Sequence, residues 1–212
     1  MVYEVENDKI PFYTQYVALL IIIINIIVFV IQLFDPTGYM FIYEAAFVPN
    51  EFFSGIKVWT IFTSMWMHAD IVHISMNMLF FYVVADNCEK TMGHVLFLVT
   101  YIISGLVGSL LDALFAVVFG WGDIPSLGAS GAIMGMIAAY GILFPRNKLR
   151  YFGSTATFSA RTFIIITLLS EIIYGIISLT APTGTAHFAH IGGFFVGLIV
   201  AVIVKTTKKK KT

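Results

Sequence analysis

Three apolar stretches of the sequence begin with residues that can carry out nucleophilic chemistry. Ser130 opens one stretch, and His190 lies near the start of the last one. His73 and Asn77 lie near the start of a third stretch, and their spacing of four residues puts them on one helical face. A histidine can take the proton of a serine hydroxyl, and nearby hydrogen-bond donors can stabilise the anion that the attack produces. The residue types therefore predict a serine nucleophile with a histidine base, provided that the three stretches meet.

The surroundings of Ser130 favour a developing negative charge. Gly128 and Gly131 flank the serine at the predicted start of a helix, where the first N–H groups have no partner within the helix. The preceding connection at 118–131 is rich in glycine and proline. Irregular backbone at membrane depth must be shielded by protein or face water. We therefore expect a wet cavity beside the serine.

Glycine pairs follow both the serine and the histidine. Gly131 and Gly135 form one small-xxx-small pair, and Gly193 and Gly197 form another. Such pairs let membrane helices approach closely, and they also occur simply as packing motifs. Because a serine side chain is short, contact with His190 requires a close approach of this kind. The four glycines are predicted to pack the two helices together.

Other ionisable residues in the apolar stretches suggest alternatives. His187 and His190 share a helical face, but the sequence has no third ligand at a typical spacing and no H-E-x-x-H pattern, so we expect no metal ion. His187 and His68 are predicted to line the cavity, and His68 also fits an interfacial cap. Glu171 lies in the middle of a stretch, where a carboxylate indicates function, but its role stays open.

The composition requires a membrane. The chain has 212 residues, of which 59% are hydrophobic and 11% charged, more apolar surface than a soluble core of this size buries. We predict a single all-α domain over 1–212, a six-transmembrane-helix bundle with a large external loop at 35–68 between its first two helices. The six predicted spans are 14–34, 69–87, 94–118, 129–144, 161–180 and 187–205.

The distribution of basic residues predicts the orientation. With six spans, all 12 Lys and Arg residues except Lys57 fall on one side, and the positive-inside rule makes that side cytoplasmic. The N-terminus (1–13) and the basic tail (205–212) are then both cytoplasmic, and the tail is expected to bind anionic lipid rather than nucleic acid. Because no organellar presequence is evident, we expect a prokaryotic plasma membrane.

Taken together, these motifs resemble those of the rhomboid intramembrane proteases over about residues 58–200. The resemblance rests on four patterns in a fixed order. They are His73-xxx-Asn77, Cys88-Glu89-Lys90 with Gly93, Gly128-Ala129-Ser130-Gly131, and Ala189-His190 with Gly193 and Gly197.

This resemblance implies a Ser-His dyad without an acidic third member. Ser130 would be the nucleophile and His190 the base, and the oxyanion would be held by the Ser130 N–H, Asn77, His73 and the Gly128 amide. No cofactor or metal would be needed. The partners would be transmembrane protein substrates and the lipid bilayer, while no feature specifies an oligomeric state.

Two further expectations follow from the same resemblance. Met134 takes the place of an aromatic residue that stacks on the base in many members, and we expect it to line the cavity beside His190. Glu171 would either hydrogen-bond within the bundle or tune the entry of substrate. The alternatives are a catalytically inactive rhomboid-like protein that binds membrane clients and a transporter, which the lack of sequence repeats disfavours.

Overall fold

The computed structural model of the chain describes residues 2–4, 11–37, 40–151 and 153–209. Helices account for most of this part, and two 3-10 turns (Phe12–Thr14 and Ser64–Trp66) join them. The α-helices of the described residues are α1 (Tyr16–Leu33), α2 (Met40–Ala45), α3 (Pro49–Phe53), α4 (Thr60–Thr63), α5 (Ile71–Met92), α6 (His94–Val118), α7 (Ser130–Leu143), α8 (Ala160–Ser178) and α9 (His187–Lys209).

Five of these helices, α1, α5, α6, α8 and α9, are long and apolar enough to cross a membrane. They contain 18 to 25 residues each, which matches the length that a bilayer requires. The prediction of an all-α membrane bundle is confirmed. The predicted span at 129–144 corresponds to α7, which has only 14 residues, so the count of six spans stays a prediction.

Helix α7 lies at the centre of the bundle. Every residue from Gly131 to Gly141 is buried, and the helix packs against α5, α6, α8 and α9. Its small and apolar residues allow burial on all sides, as expected for a helix that is hydrophobic all round. The neighbouring helices therefore fix the position of its first residue, Ser130.

A small sheet, which the sequence did not predict, accompanies the helical bundle. Strands β1 (Val2–Glu4), β2 (Lys148–Tyr151) and β3 (Thr157–Ser159) form an antiparallel sheet in the order β1-β2-β3. Leu149 pairs with Phe158 across β2 and β3 and is fully buried. Strands of three or four residues are too short to show an alternating pattern in the sequence, which is why the prediction missed them.

The long connection at 35–68 is attached to the connection that precedes α7. Phe47 and Ser126 exchange two backbone hydrogen bonds of 2.9 and 2.8 Å, and the Asn50 N–H donates to the Gly122 carbonyl. The predicted external loop thus contains α2, α3 and α4 and holds the glycine-rich segment before Ser130 in place. Gly38 of this loop lies outside the described residues.

A buried carboxylate joins the start of α1 to the end of α5. Glu89 is fully buried and accepts hydrogen bonds from the backbone N–H groups of Val17 (3.1 Å) and Ala18 (2.7 Å). The Nδ1 atom of His94 contacts the same carboxylate. Negative charge at a helix N-terminus is stabilising because the first N–H groups lack partners within the helix. Glu89 lies in the last turns of α5, because this helix continues to Met92, five residues beyond the predicted end of its span.

Candidate active site

Ser130 is the first residue of α7, directly after an irregular segment. Gly128 has a φ of +130°, a backbone conformation that side-chain-bearing residues rarely adopt. A Cβ at this glycine would lie 2.9 Å from the Cε1 and Nε2 atoms of His73 and 3.8 Å from the Ser130 hydroxyl oxygen. The absence of a side chain at Gly128 thus lets the His73 ring approach the serine.

Helices α7 and α9 are in backbone contact just after the serine and the histidine. A Cβ at Gly193 would overlap the Gly131 carbonyl, and a Cβ at Gly197 would overlap the Gly135 carbonyl. Only glycine permits this approach, because any side chain would force the helices apart. The four glycines that the sequence analysis assigns to helix packing all lie in this contact.

The close approach brings Ser130 and His190 together. The serine Oγ lies 2.7 Å from the His190 Nε2, a hydrogen-bond distance between a hydroxyl and an imidazole. The His190 side chain is 13% exposed. A histidine that accepts this bond can take the hydroxyl proton as the oxygen attacks a carbonyl carbon.

The residues predicted to bind an oxyanion differ in whether their donor groups are already engaged. The Asn77 side-chain amide donates to the His73 carbonyl over 3.0 Å, one turn back in α5. The Gly128 N–H donates to the Ser64 carbonyl over 2.9 Å, so this amide is engaged elsewhere. The Ser130 N–H is at the start of α7, where a helix leaves its N–H groups without partners of its own.

Glu171, for which the sequence left two roles open, contacts the histidine at its other ring nitrogen. The Glu171 Oε2 in α8 lies 3.0 Å from Nδ1 of His190 and 2.7 Å from Nδ1 of His187. Glu171 and His190 are close enough for an ion pair, but their atoms are not aligned for a linear hydrogen bond. The position of a carboxylate in mid-helix was the only signal for Glu171 in the sequence.

A cavity of about 300 Å³ opens beside the site. Its walls include His73 and Asp112, the Ser126-Leu127 segment before α7, and Ala186 at the start of α9. The glycine- and proline-rich connection therefore borders a cavity with polar and apolar walls, but Ser130, His190 and the three residues predicted to line the cavity are not among its lining residues.

The family model described as Rhomboid domain matches residues 56–207, which include every site residue described above. The chain belongs to the rhomboid family. It is accordingly an integral multi-pass membrane protein, and its helical bundle is a rhomboid bundle.

Among its relatives, RHOMBOID-like protein 4 of Arabidopsis thaliana is 31% identical over 150 residues, 71% of this chain and 35% of that protein. Rhomboid-like protease 3 of Toxoplasma gondii is 31% identical over 160 residues, 73% of this chain and 54% of the protease. Inactive RHOMBOID-like protein 8 of Arabidopsis thaliana is 28% identical over 138 residues, 65% of this chain and 36% of that protein. The rhomboid chain thus spans between about a third and a half of these relatives.

The three residues that the sequence analysis places along the cavity are all buried in this rhomboid. His187 is 8% exposed and faces Glu171, while Met134 belongs to the hydrophobic core. His68 is 1% exposed, and the edge of its ring faces the His73 ring at 5.1 Å. Their role in lining a water path stays a prediction.

His68 precedes α5 and is held through its backbone. The Gln32 side chain accepts from the His68 N–H over 3.1 Å and donates to its carbonyl over 3.2 Å. Burial, with a smaller contribution from the nearby His73, lowers the pKa of His68 from its ordinary value of 6.5 to about 4. A neutral ring is therefore present beside the site across the physiological pH range.

Proposed function

We propose that this rhomboid is an intramembrane serine endopeptidase that hydrolyses peptide bonds in or next to transmembrane segments of other proteins. The single observation that carries the proposal is the 2.7 Å contact between the Ser130 Oγ and the His190 Nε2. Nucleophile and base must lie within about 2.6–3.2 Å for direct proton transfer. The contact meets this requirement without any rearrangement of the helices.

The first half of the proposed reaction forms an acyl-enzyme. The Ser130 oxygen attacks the scissile carbonyl carbon while His190 Nε2 takes the hydroxyl proton. The C–N bond of the tetrahedral intermediate then breaks, and His190 returns the proton to the leaving amine. In the second half, His190 takes a proton from a water molecule whose oxygen attacks the acyl carbon, and the Ser130 oxygen leaves with that proton.

The oxyanion of both intermediates would be bound at the start of α7. The Ser130 N–H, the Asn77 amide and the His73 ring are the proposed donors, and one such donor contributes about 2.7–4 kcal/mol. Asn77 would exchange its bond to the His73 carbonyl for a bond to the oxyanion. We leave the Gly128 amide out of this set because it donates to Ser64.

The proposed substrates are transmembrane helices that unwind locally to expose a carbonyl. Glycine and other helix-breaking residues near the cleaved bond favour unwinding because they have low helix propensity, and small residues there leave room for the serine to approach. We further propose that both termini are cytoplasmic, that the active site faces the external side of a prokaryotic plasma membrane, and that no cofactor or metal takes part. The positive-inside distribution of Lys and Arg supports the orientation.

A cleavage assay in reconstituted lipid vesicles tests the proposal. The probe is a labelled single-span peptide with glycine and small residues near one end of its span, and a fluorophosphonate probe reports the nucleophile. We expect wild type to cleave and to be labelled, Ser130→Ala to do neither, and His190→Ala to cleave about 10³-fold more slowly or worse. Ser170→Ala serves as the matched control, because that hydroxyl donates within its own helix to Thr167.

The second candidate is a rhomboid-like protein that binds membrane clients without cutting them. A relative that is named as inactive makes this reading concrete. It predicts that wild type neither cleaves the peptide nor reacts with the fluorophosphonate, while the peptide still co-purifies with it. Labelling of wild type but not of Ser130→Ala excludes it.

A further inference from the structure

Helix α8 brings a carboxylate to the side of His190 that faces away from the serine. The Glu171 Oε2 lies 3.0 Å from His190 Nδ1, while His190 Nε2 lies 2.7 Å from the Ser130 Oγ. We propose that Glu171 is a positioning residue that extends the Ser-His pair to Ser130-His190-Glu171, and that His187 holds the carboxylate in place. This inference rests on the proposed peptidase function.

The two nitrogens of His190 must have different protonation states for the reaction. A neutral imidazole carries one N–H, and Nε2 must be without it to accept the serine proton. A carboxylate can only accept, so Glu171 favours the tautomer with the hydrogen on Nδ1. After proton transfer, the carboxylate also stabilises the imidazolium. Glu171 therefore acts through His190 and does not touch the substrate.

His187 supports the carboxylate from the opposite direction. Its Nδ1 lies 2.7 Å from the same Oε2, and its ring is stacked on Tyr174 at 5.7 Å with an interplanar angle of 19°. The ring of His187 is nearly perpendicular to that of His190, at 85°. One oxygen of Glu171 thus lies between two imidazoles. Of these, His187 does not contact Ser130, and it fixes the position of the carboxylate.

The spacing of the three ligand atoms distinguishes this arrangement from a metal site. Glu171, His187 and His190 form a donor set of the kind that binds zinc, with all three atoms within 4.8 Å of one another. Ligands at about 2.0–2.1 Å from a tetrahedral zinc ion lie about 3.3 Å apart. The two N–O distances of 2.7 and 3.0 Å are shorter and fit direct contact between nitrogen and oxygen.

The size of the effect follows from the geometry. In a protease with an aligned, buried aspartate, loss of the correct tautomer lowers kcat about 10⁴-fold. The contact of Glu171 with His190 is close but not linear, so we expect a smaller contribution. Replacement of Glu171 by glutamine should lower kcat by about tenfold to a hundredfold.

The experiment measures kcat and KM for the labelled peptide in vesicles, with wild type, Glu171→Gln, Glu171→Asp and His187→Phe. A positioning role predicts a lower kcat with KM within about twofold of wild type for Glu171→Gln. Glu171→Asp, which keeps the charge, should recover part of the rate. His187→Phe keeps the ring against Tyr174 and should cause a smaller loss. Ser170→Ala, next to Glu171 in the same helix, is the matched control.

Several results would overturn the inference. A Glu171→Gln rate within twofold of wild type shows that the carboxylate does not position the base, and the proposed function survives that result. If Glu171→Gln and Glu171→Asp lower kcat to the same extent, and both also lower the melting temperature to the same extent, the role of Glu171 is structural. If Glu171→Gln does not fold, the kcat values of His187→Phe and Glu171→Asp still test whether the carboxylate positions His190. Loss of wild-type cleavage on chelation with EDTA, restored by zinc, assigns the cluster to a metal ion instead. A wild type that fails to cleave removes the proposed function itself.

Discussion

Two glutamates of this rhomboid, the fully buried Glu89 and the partly buried Glu171, each contact histidine, but their other partners differ. Glu89 accepts from two backbone N–H groups at the start of α1 and contacts His94 as well. Glu171 offers one oxygen to the side chains of His187 and His190. Backbone donors cannot change protonation, so Glu89 is committed to holding two helices together. Imidazoles can gain and lose protons, so a carboxylate between them can serve chemistry.

The largest effect that would sharpen this contrast is expected at Glu89. Replacement by alanine leaves the N–H groups of Val17 and Ala18 buried without an acceptor, and two such unsatisfied donors cost about 2–6 kcal/mol together. We expect the free energy of unfolding, measured by SDS titration in mixed micelles, to fall by this amount. The kcat of the folded fraction should stay within twofold of wild type. A selective loss of kcat would erase the distinction between the two glutamates.

His68 extends the comparison to a buried histidine that faces another histidine. Its native pKa of about 4 lies below the ordinary 6.5, so the unfolded chain binds more protons between these values. The stability that the neutral ring contributes is therefore fully present above pH 6.5 and is lost as the pH falls toward 4, by about 3 kcal/mol. His68→Phe should flatten this part of the curve of unfolding free energy against pH. Parallel curves for wild type and variant would contradict the prediction.

A variant of His94 tests the histidine that contacts Glu89. Its ring is stacked on Tyr16 at 3.9 Å, and phenylalanine would keep that contact while removing the hydrogen bond to Glu89. A hydrogen bond to a charged group contributes about 1.5–3 kcal/mol. We expect His94→Phe to lower the unfolding free energy by this amount and to leave peptide cleavage unchanged. His187→Phe should show the opposite pattern, with a kinetic loss at nearly constant stability.

A variant in the glycine contact between α7 and α9 tests how far the proposed reaction depends on the distance between the two helices. Gly197→Ala would push the helices apart and cost about 1–3 kcal/mol through overpacking. Cleavage should fall more steeply than stability, because the contact between Ser130 and His190 depends on the close approach. Gly175→Ala in α8 is the control for the added methyl group, since a Cβ there meets its nearest neighbour, the Cβ of His187, at 3.5 Å, an ordinary van der Waals distance. Equal behaviour of both variants would show that helix spacing does not limit the reaction.

The sequence was sufficient for the long helices and for the residues that now stand as the proposed dyad. Apolar stretches of bilayer length predict helices, because in lipid the backbone must satisfy its hydrogen bonds within each segment. The glycine spacing after Ser130 and His190 predicted a contact between two helices that are distant in the chain. Both kinds of information are local to one helix at a time.

What the sequence could not supply are contacts across elements without a spacing signal. Glu171 meets His190 only because α8 and α9 are packed with a particular rotation, and no motif records that angle. The engagement of the Gly128 amide by Ser64 depends on how the 35–68 connection folds back. Glu89 belongs to a motif, but its bonds to α1 span more than 70 residues. Such pairings depend on the packed bundle as a whole.

The 14 residues of α7 have a consequence for the surrounding lipid. At about 1.5 Å per residue the helix is about 21 Å long, against about 30 Å of hydrocarbon. If the Leu143 end were level with one face of the hydrocarbon, an untilted α7 would place Ser130 about 9 Å below the other face, a depth that a substrate and a water molecule would both have to reach. Lipids with shorter acyl chains reduce that depth and lipids with longer chains increase it. Bilayer thickness should therefore change how readily substrate and water reach Ser130 in the proposed reaction.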